Sequence, residues 1–218
     1  WVNVPERFSV VEFDEQGHWL WRVVALARKG DSDIRHSTDD RYYFAPSLTW
    51  QPDDDTSLTL LPRYQRAISD GVGGFLPEVG TLLPNPYGQI PRDVNPGEPG
   101  YDHYLKTDES FGYAFRHRFD DVWSFRQDLR LQNDKVDHRG IFALDLEPDD
   151  YTLDRYNYPL VDHNNVFAVD NQLEAKFDQG NVQQNVLMGV DYQHNHEDYK
   201  SGYCSAPCIN IFAPVYGQ

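Results

Sequence analysis

Clustered histidines and acids are the first residues in this 218-residue chain whose spacing could support chemistry. His194 and His196 lie two positions apart, on one face of an expected strand. Glu197 and Asp198 follow them directly, and such a set of side chains could bind a metal. The solvated end of a strand explains the same residues, and we favour this interpretation. We therefore expect no metal site here.

Three pairs of aspartates resemble the paired carboxylates of glycoside hydrolases. They are Asp53 with Asp55, Asp120 with Asp121, and Asp149 with Asp150. Each pair falls in an expected turn or loop, where aspartate is favoured because its side chain bonds the backbone of the turn. The sequence contains no Ser-His-Asp set, nucleotide-binding loop or metal signature. We expect no catalytic residue and no enzyme activity.

The two cysteines of the chain, Cys204 and Cys208, lie close together. Their spacing suits a small loop closed by a disulfide in an oxidising compartment, and we expect this disulfide. Two reduced thiols are the alternative. A structural zinc site is not expected, because it needs a second pair of ligands.

The composition excludes one broad class of partner. The chain has 19 Lys and Arg against 35 Asp and Glu, a formal net charge of -16. A nucleic-acid binder needs the opposite sign, so we expect no nucleic-acid partner. The chain begins at Trp1 without a signal segment, and we expect it to be processed or cut from a longer protein.

Apolar and polar residues alternate in several long segments, which is typical of strands with one apolar face. The apolar residues expected on this face include Tyr42, Phe44, Leu48, Trp50, Phe111, Tyr113, Phe115, Trp123, Phe125, Phe167 and Val169. The residues expected on the opposite face include Arg63, Arg116, Arg126, Arg130, Asp170 and Glu174. The pattern predicts an all-β fold, an antiparallel up-and-down meander of about eight long strands.

The connections between these segments alternate in length. Short turns at Pro52–Asp55, Asp120–Asp121 and Asp178–Gly180 carry aromatic residues beside them. The long polar segments are Gly30–Asp40, Ile68–Thr107, Asn133–Asn165 and Asp198–Gln218. Short turns on one rim, long loops on the other and an aromatic girdle are typical of an outer-membrane β-barrel. A soluble sandwich, such as a secreted carbohydrate-binding or hydrolytic module, fits the alternation as well.

Several motifs, in order along nearly the whole chain, resemble TonB-dependent siderophore receptors of the ferrichrome-type, hydroxamate branch. They include Arg41–Asp55 (RYYFAPSLTWQPDDD), Gly74–Thr81 (GFLPEVGT), Gly112–Phe119 (GYAFRHRF) and Ile209–Gly217 (INIFAPVYG). Each motif alone is weak, but their order and spacing make the set fairly specific.

The resemblance implies a 22-stranded barrel in the outer membrane of a Gram-negative cell, surrounding an N-terminal plug. Residues 1–218 would then be a partial barrel domain without the plug and the remaining strands. The implied partners are a ferric hydroxamate-type siderophore, the TonB complex acting through the plug, and outer-membrane lipid. Because the iron arrives already chelated, no cofactor and no metal ligand from the protein are expected.

The resemblance also suggests which residues contact the ligand. Phe75 stands where this branch has a vestibule tryptophan, and Phe142 matches a second aromatic position. Gly73 and Leu144 stand where the branch has tyrosines, so two aromatic contacts would be absent. We expect all four positions at a ligand-binding mouth. Alternatively, Phe75 anchors the glycine- and proline-rich loop in which it lies.

Overall fold

The computed structural model describes residues 9–12, 17–70, 74–180 and 182–217. Twelve strands form within these ranges. They are β1 (Ser9–Glu12), β2 (Trp19–Arg28), β3 (Thr38–Trp50), β4 (Thr56–Leu60), β5 (Arg63–Asp70), β6 (His103–Arg118), β7 (Trp123–Arg139), β8 (Ile141–Leu146), β9 (Thr152–Asn157), β10 (Leu160–Gln179), β11 (Val182–Ser201) and β12 (Cys204–Asn210). Among the described residues, no helix has the length and apolar character needed to cross a membrane.

One large antiparallel sheet follows the order β1-β2-β3-β4-β6-β7-β10-β11, with β5 also placed between β3 and β6. β4 and β5 continue one another, because Leu58 pairs with Phe115 and Arg63 pairs with Ser110 in the same register. Pro62 interrupts the strand between them, since proline has no backbone N–H to donate. The sheet therefore has eight strand positions in up-and-down order, which confirms the predicted meander.

The large sheet turns its apolar face to its surroundings. Phe44 is 49% exposed and Phe111 is 46% exposed. The opposite face lines a cavity of about 1030 Å³ whose walls include Arg63, Arg130 and Asp170. A cavity forms on the concave side of a curved sheet, so the polar face is the inner one. This arrangement is that of a barrel wall, and it excludes the two stacked sheets of a sandwich.

The strands extend further than the sequence predicts on the side of the long loops. Asn133 pairs with Asn165 inside the ladder of β7 and β10, although these two residues were expected to bound a loop. Above the row of Leu131 and Phe167, both faces of these strands carry polar side chains. Alternation is lost there, so the pattern could not indicate a strand. The prediction that Asn133–Asn165 forms a loop throughout is wrong at both of its ends.

The long loops fold into a second, three-stranded sheet of order β12-β9-β8, which the sequence did not predict. The small sheet and the segments packed on it, residues 74–102, 141–157 and 204–217, are here termed the loop cap. Its interior holds the main cluster of buried aliphatic residues in the described structure. These residues are Ile90, Val94, Leu153, Ile209 and Ile211.

The aspartate pairs lie in turns and bond the backbone there. One carboxylate oxygen of Asp120 accepts the N–H groups of Val122 and Trp123, at 2.8 and 2.7 Å. Asp149 accepts the N–H of Thr152 at 2.8 Å in the turn between β8 and β9. These bonds agree with the turn chemistry expected for the acid pairs.

Candidate functional site

Phe75 and Phe142 come together at the loop rim. Their ring centroids are 6.4 Å apart and the planes are inclined by 38°. Phe75 lies in the segment after β5, and its side chain projects outward with 67% of the residue exposed. Phe142 is the second residue of β8 and is half-buried. The structure thus places two of the four predicted site residues in contact.

The contact continues along the small sheet. Phe142 pairs directly with Tyr156 across β8 and β9, and their rings stack at 5.5 Å with planes 28° apart. Tyr156 stacks in turn on Tyr203, at 4.8 Å and 24°. We term Phe75, Phe142, Tyr156 and Tyr203 the aromatic stack. Sequence reasoning missed Tyr156 and Tyr203, because Tyr156 lies in a short strand and Tyr203 lies between two strands, both within segments assigned to loops.

Two further rings connect the aromatic stack to the barrel wall. His138, near the end of β7, lies 5.7 Å from Phe142. Tyr104, near the start of β6, lies 5.6 Å from His138. An unbroken series of rings therefore runs from the top of two barrel strands to the small sheet.

Leu144 and Phe75 border the same cavity of about 370 Å³, whose walls also include Glu78 and Asp150. Leu144 is 60% exposed, so an aliphatic side chain occupies this part of the rim. Gly73 lies outside the described residues, and its predicted place at the mouth stays a prediction.

The four rings of the aromatic stack contact other rings. Within the described part of the chain, none of the contacts of its four rings involves an arginine or a lysine. The cation of Arg139 lies instead over the ring of Tyr101, at 5.5 Å. The stack therefore offers an uncharged surface of ring faces, ring edges and tyrosine hydroxyls.

A buried arginine holds the strands of the aromatic stack in place. Arg155 lies two residues after Leu153 in β9 and points to the opposite face from Tyr156; its side chain is 1% exposed. Its guanidinium donates to the carbonyl oxygens of Pro207 at 2.6 Å and Gly97 at 2.7 Å. One side chain thus joins β9, β12 and the 91–102 segment.

Glu98 completes this polar centre. One carboxylate oxygen lies 3.3 Å from the Arg155 guanidinium, and the other accepts the N–H of Gly217. Nearby, the hydroxyl of Tyr216 donates to the carbonyl of Asn95 at 2.9 Å, and burial raises the pKa of that phenol. The 91–102 segment therefore holds both strand β9 and the end of the described chain.

Asp102 joins the barrel wall to the loop cap. Its two carboxylate oxygens accept the N–H of Ile141 at 2.8 Å and the N–H of Glu98 at 2.9 Å. Burial raises the pKa of this carboxyl, against the lowering effect of the two backbone bonds. A Cβ at Gly97 would lie 2.0 Å from an Asp102 oxygen, so a residue with a side chain does not fit there without displacement.

The cysteines differ from the prediction. Both thiols are free in the structure, and they have different partners. Cys208 donates to a carboxylate oxygen of Asp154 at 2.9 Å, whereas Cys204 accepts from the side-chain amide of Asn157 at 3.6 Å. Both cysteines belong to β12, and their different hydrogen-bond partners lie in β9.

The histidine cluster is exposed. His196 Nε2 lies 3.6 Å from a carboxylate oxygen of Asp198, and both side chains are well exposed to solvent. No group of three or more His, Cys, Asp or Glu residues suited to a metal occurs within the ranges that the structure describes.

The sequence is similar to a known protein family and to characterised relatives. Residues 44–216 match the family model for the TonB dependent receptor-like β-barrel. The ferrioxamine receptor of Yersinia enterocolitica is 34% identical over 201 residues, covering 92% of this chain and 28% of its own length. The ferrichrome outer membrane transporter/phage receptor of Escherichia coli K12 is 32% identical over 226 residues, covering 93% and 30%. The chain thus spans less than a third of these relatives.

The fold is also that of solved structures. The ferric-catecholate import receptor of Escherichia coli K12, in its open form, superposes with a TM-score of 0.84 at 18% identity. The alignment covers 97% of this chain and 35% of that receptor. The ferric preacinetobactin receptor of Acinetobacter baumannii gives a TM-score of 0.80 at 16% identity, covering 97% and 32%.

Proposed function

Because the chain belongs to the family of TonB-dependent receptor β-barrels, we propose that it forms part of a receptor that takes up ferric siderophores. It is a segment of an outer-membrane barrel of a Gram-negative cell. Relatives with this barrel are receptors and transporters, so we infer a role in binding and transport without enzyme activity.

The aromatic stack is the observation that supports ligand binding most directly. It lies on the rim of the long loops, opposite the short turns that carry the aromatic girdle. Rigid aromatic rings supply contact area at a small cost in side-chain entropy. Phe75 lies in the segment after β5 and forms an exposed end of the aromatic stack. It is the residue that we expect to contact the ligand most.

The chemistry of the stack favours a ferric hydroxamate over a catecholate. Three hydroxamates carry three negative charges, which ferric iron neutralises, whereas a tris-catecholate complex stays anionic. An uncharged complex suits a surface of stacked rings, whereas an anionic complex is held best by cationic side chains. Two relatives are receptors for ferrioxamine and ferrichrome, which agrees with this choice. The iron is cargo and takes no ligand from the protein.

We also propose that further strands close the barrel to the 22 that the family resemblance implies. β11 is paired with β10 along its whole length, and no strand within the described residues borders its other edge. Unpaired backbone groups in lipid cost several kcal/mol each, so the part of the β11 edge that lies in lipid requires a neighbour. Residues 1–218 then supply a partial barrel wall, and the plug that engages TonB belongs to another part of the receptor.

The test is a Phe75→Ala substitution in the complete receptor that contains this chain, purified in detergent. We expect the affinity for ferric ferrioxamine B to fall by about 1–3 kcal/mol, the range for losing an anchoring aromatic contact. Quenching of intrinsic fluorescence on titration with the ferric complex measures the dissociation constant.

Phe177→Ala is the matched control. Phe177 is a partly exposed phenylalanine on the girdle at the opposite rim, so its loss should leave ligand affinity unchanged. Equal affinities of wild type and Phe75→Ala for several ferric hydroxamates would remove Phe75 from the site. Wild-type preference for ferric catecholates would contradict the proposed ligand class.

A further inference from the structure

Two polar residues interrupt the apolar outer face of the barrel wall. Gln127 lies midway along β7 between Trp123 and Leu131, four residues from each. Side chains alternate across a strand, so Gln127 shares the outer face with these two residues. Asn171 has the equivalent place in β10 and pairs directly with Gln127. The two carboxamides therefore lie side by side, at mid-height of a face that is otherwise suited to lipid.

The two carboxamides belong to a series of hydrogen bonds that crosses the strands. The hydroxyl of Tyr113 in β6 donates to Oε1 of Gln127 at 2.5 Å. Nε2 of Gln127 donates to Oδ1 of Asn171 at 2.6 Å. Nδ2 of Asn171 lies 3.5 Å from the carbonyl oxygen of Val190 in β11, which is a long contact. We term Tyr113, Gln127 and Asn171 the outer polar ladder.

The outer polar ladder does not use the full hydrogen-bonding capacity of its carboxamides. A carboxamide has two N–H donors, and among the contacts of the described residues Gln127 and Asn171 each direct one of them along the ladder. The second N–H of each needs an acceptor, which hydrocarbon chains do not offer. A carboxamide at this depth is therefore costly unless another polar surface reaches it.

We propose that the outer polar ladder is the centre of a contact between two copies of the receptor within the membrane. Two copies inserted in the same orientation hold the ladder at the same depth. A two-fold axis along the membrane normal then brings Gln127 and Asn171 of the two copies together. Carboxamides both donate and accept hydrogen bonds, so the patch is complementary to itself. Phe115 and Phe125, whose ring centroids are 6.3 Å apart, flank the ladder and supply apolar contact area.

A second copy fits this patch better than the other possible occupants. A lipid chain has no acceptor for the remaining N–H groups. A soluble protein does not reach the ladder, because apolar residues such as Leu131 lie between it and the cell surface. A different barrel would need polar side chains at the same depth, whereas a second copy always has them. This inference goes beyond siderophore uptake, since it depends only on the barrel wall and the membrane.

The test measures association of the complete receptor by sedimentation equilibrium in density-matched detergent micelles. The wild type should show a reversible equilibrium between monomer and dimer. Gln127→Leu combined with Asn171→Leu should weaken dimerisation by about 10-fold, which corresponds to about 1.4 kcal/mol and lies in the range of hydrogen bonds between membrane segments. Leucine suits a lipid-facing position, so the double variant should still assemble as a barrel.

Gln172→Leu is the matched control for Asn171→Leu. Gln172 follows Asn171 directly and lies on the inner face, where its Nε2 donates to a carboxylate oxygen of Asp170 at 2.6 Å. Asn171→Leu alone should weaken dimerisation, whereas Gln172→Leu should leave it unchanged. Equal weakening by the two substitutions would overturn the proposal, and so would a wild-type receptor that sediments as a monomer at every concentration.

Cross-linking in cells identifies the occupant. A benzophenone side chain at position 169, two residues before Asn171 on the same face of β10, should give a product of twice the receptor's mass. The same group at position 44, separated from β10 by three strand positions, should give much less of it. Products with lipid alone, or with a different protein, would overturn the choice of a second copy. Affinity for ferric ferrioxamine B should be equal in all these variants, so the uptake function is tested separately.

Discussion

Arg155 and Glu98 form an ion pair inside the loop cap, with their side chains 1% and 10% exposed. Each charge has additional partners, since Arg155 also donates to two carbonyls and Glu98 also accepts a backbone N–H. A buried pair of this kind is costly to break on one side, because the remaining charge loses its compensation. The pair also lies directly behind Tyr156, and so it sets the position of the aromatic stack.

Glu98→Ala should destabilise the loop cap by about 3–5 kcal/mol, because it leaves the Arg155 guanidinium buried without its carboxylate. The barrel ladder should be unaffected, since neither residue belongs to the large sheet. Hydrogen exchange resolved by mass spectrometry would report faster exchange in 141–157 and unchanged exchange in β7 and β10.

Arg35→Ala is the control for that change. Arg35 pairs with Asp93 at 2.7 Å, but both side chains are about half exposed, so solvent screens the pair. Its effect on exchange in the loop cap should be much smaller than that of Glu98→Ala. Equal effects would show that burial does not make the Arg155–Glu98 pair more important for the stability of the loop cap than an exposed pair.

The pKa of Asp102 predicts how the loop cap responds to acid. Burial raises this pKa, so the folded state holds the proton more tightly than the unfolded chain does. The stabilising contribution is complete below the ordinary pKa of aspartate and is lost as pH rises through the raised value. In Asp102→Asn this part of the pH dependence of cap opening should disappear, as measured by exchange of the Leu153 amide from about pH 3 to 6, the range around the ordinary aspartate pKa.

Asp149 provides a control of opposite sign. Hydrogen bonding to Thr152 lowers the pKa of Asp149, so its contribution is present above the ordinary pKa of aspartate and is lost as pH falls through the lowered value. Removing Asp149 should therefore reduce the acid sensitivity of the turn between β8 and β9. Relative to wild type, the two substitutions should change the pH dependence of cap opening in opposite directions. Changes in the same direction would contradict the raised pKa of Asp102 or the lowered pKa of Asp149.

Phe115 and Ala114 test the two faces of the barrel wall. Phe115→Arg should destabilise the barrel in lipid by about 2–4 kcal/mol, because it places a charge on the outer, apolar face. Ala114→Arg, one residue earlier, should cost little, since Ala114 pairs with Asp128 on the inner, polar face of the wall and the new side chain stays out of lipid. Urea titration of the complete barrel in vesicles compares the two variants, and a larger loss for Ala114→Arg would reverse the face assignment.

Cys208 offers a chemical probe of the loop cap. In the structure both thiols are free, so iodoacetamide should label Cys204 and Cys208 without reductant. The hydrogen bond to Asp154 raises the pKa of Cys208, and Asp154→Asn should therefore speed its alkylation. Cys204 in the same molecule is the internal control. Absence of labelling at both positions without reductant would establish the disulfide that the sequence predicts.

The barrel wall is predictable from sequence wherever one strand face is apolar. Phe111 and Phe115 alternate with Gly112 and Ala114, and this period of two is sufficient to locate β6 and its neighbours. The upper strand ends escaped prediction, because Asn133 and most of the residues after it in β7 are polar, so no apolar face continues there.

The loop cap could not be predicted from pattern. β8 and β9 are six residues long and their pairing shifts register between Ala143 and Leu146, so no regular period is present. The expectation that Phe75 and Phe142 lie at one rim followed from family resemblance, but their ring contact and the stacking of Tyr203 depend on chain reversals that only the folded structure reveals. The buried partners of Arg155 are likewise distant in sequence and left no local signal.

Asn133 and Asn165 pair within the β7–β10 ladder, so this upper end of the barrel wall is a rigid reference point. Lys135 stands on that paired rim, whereas Asp150 stands at a turn of the loop cap. A spectroscopic label at position 135 would stay with the barrel, and a second label at position 150 would follow the cap. The separation between the two labels would then report any movement of the loop cap relative to the barrel wall.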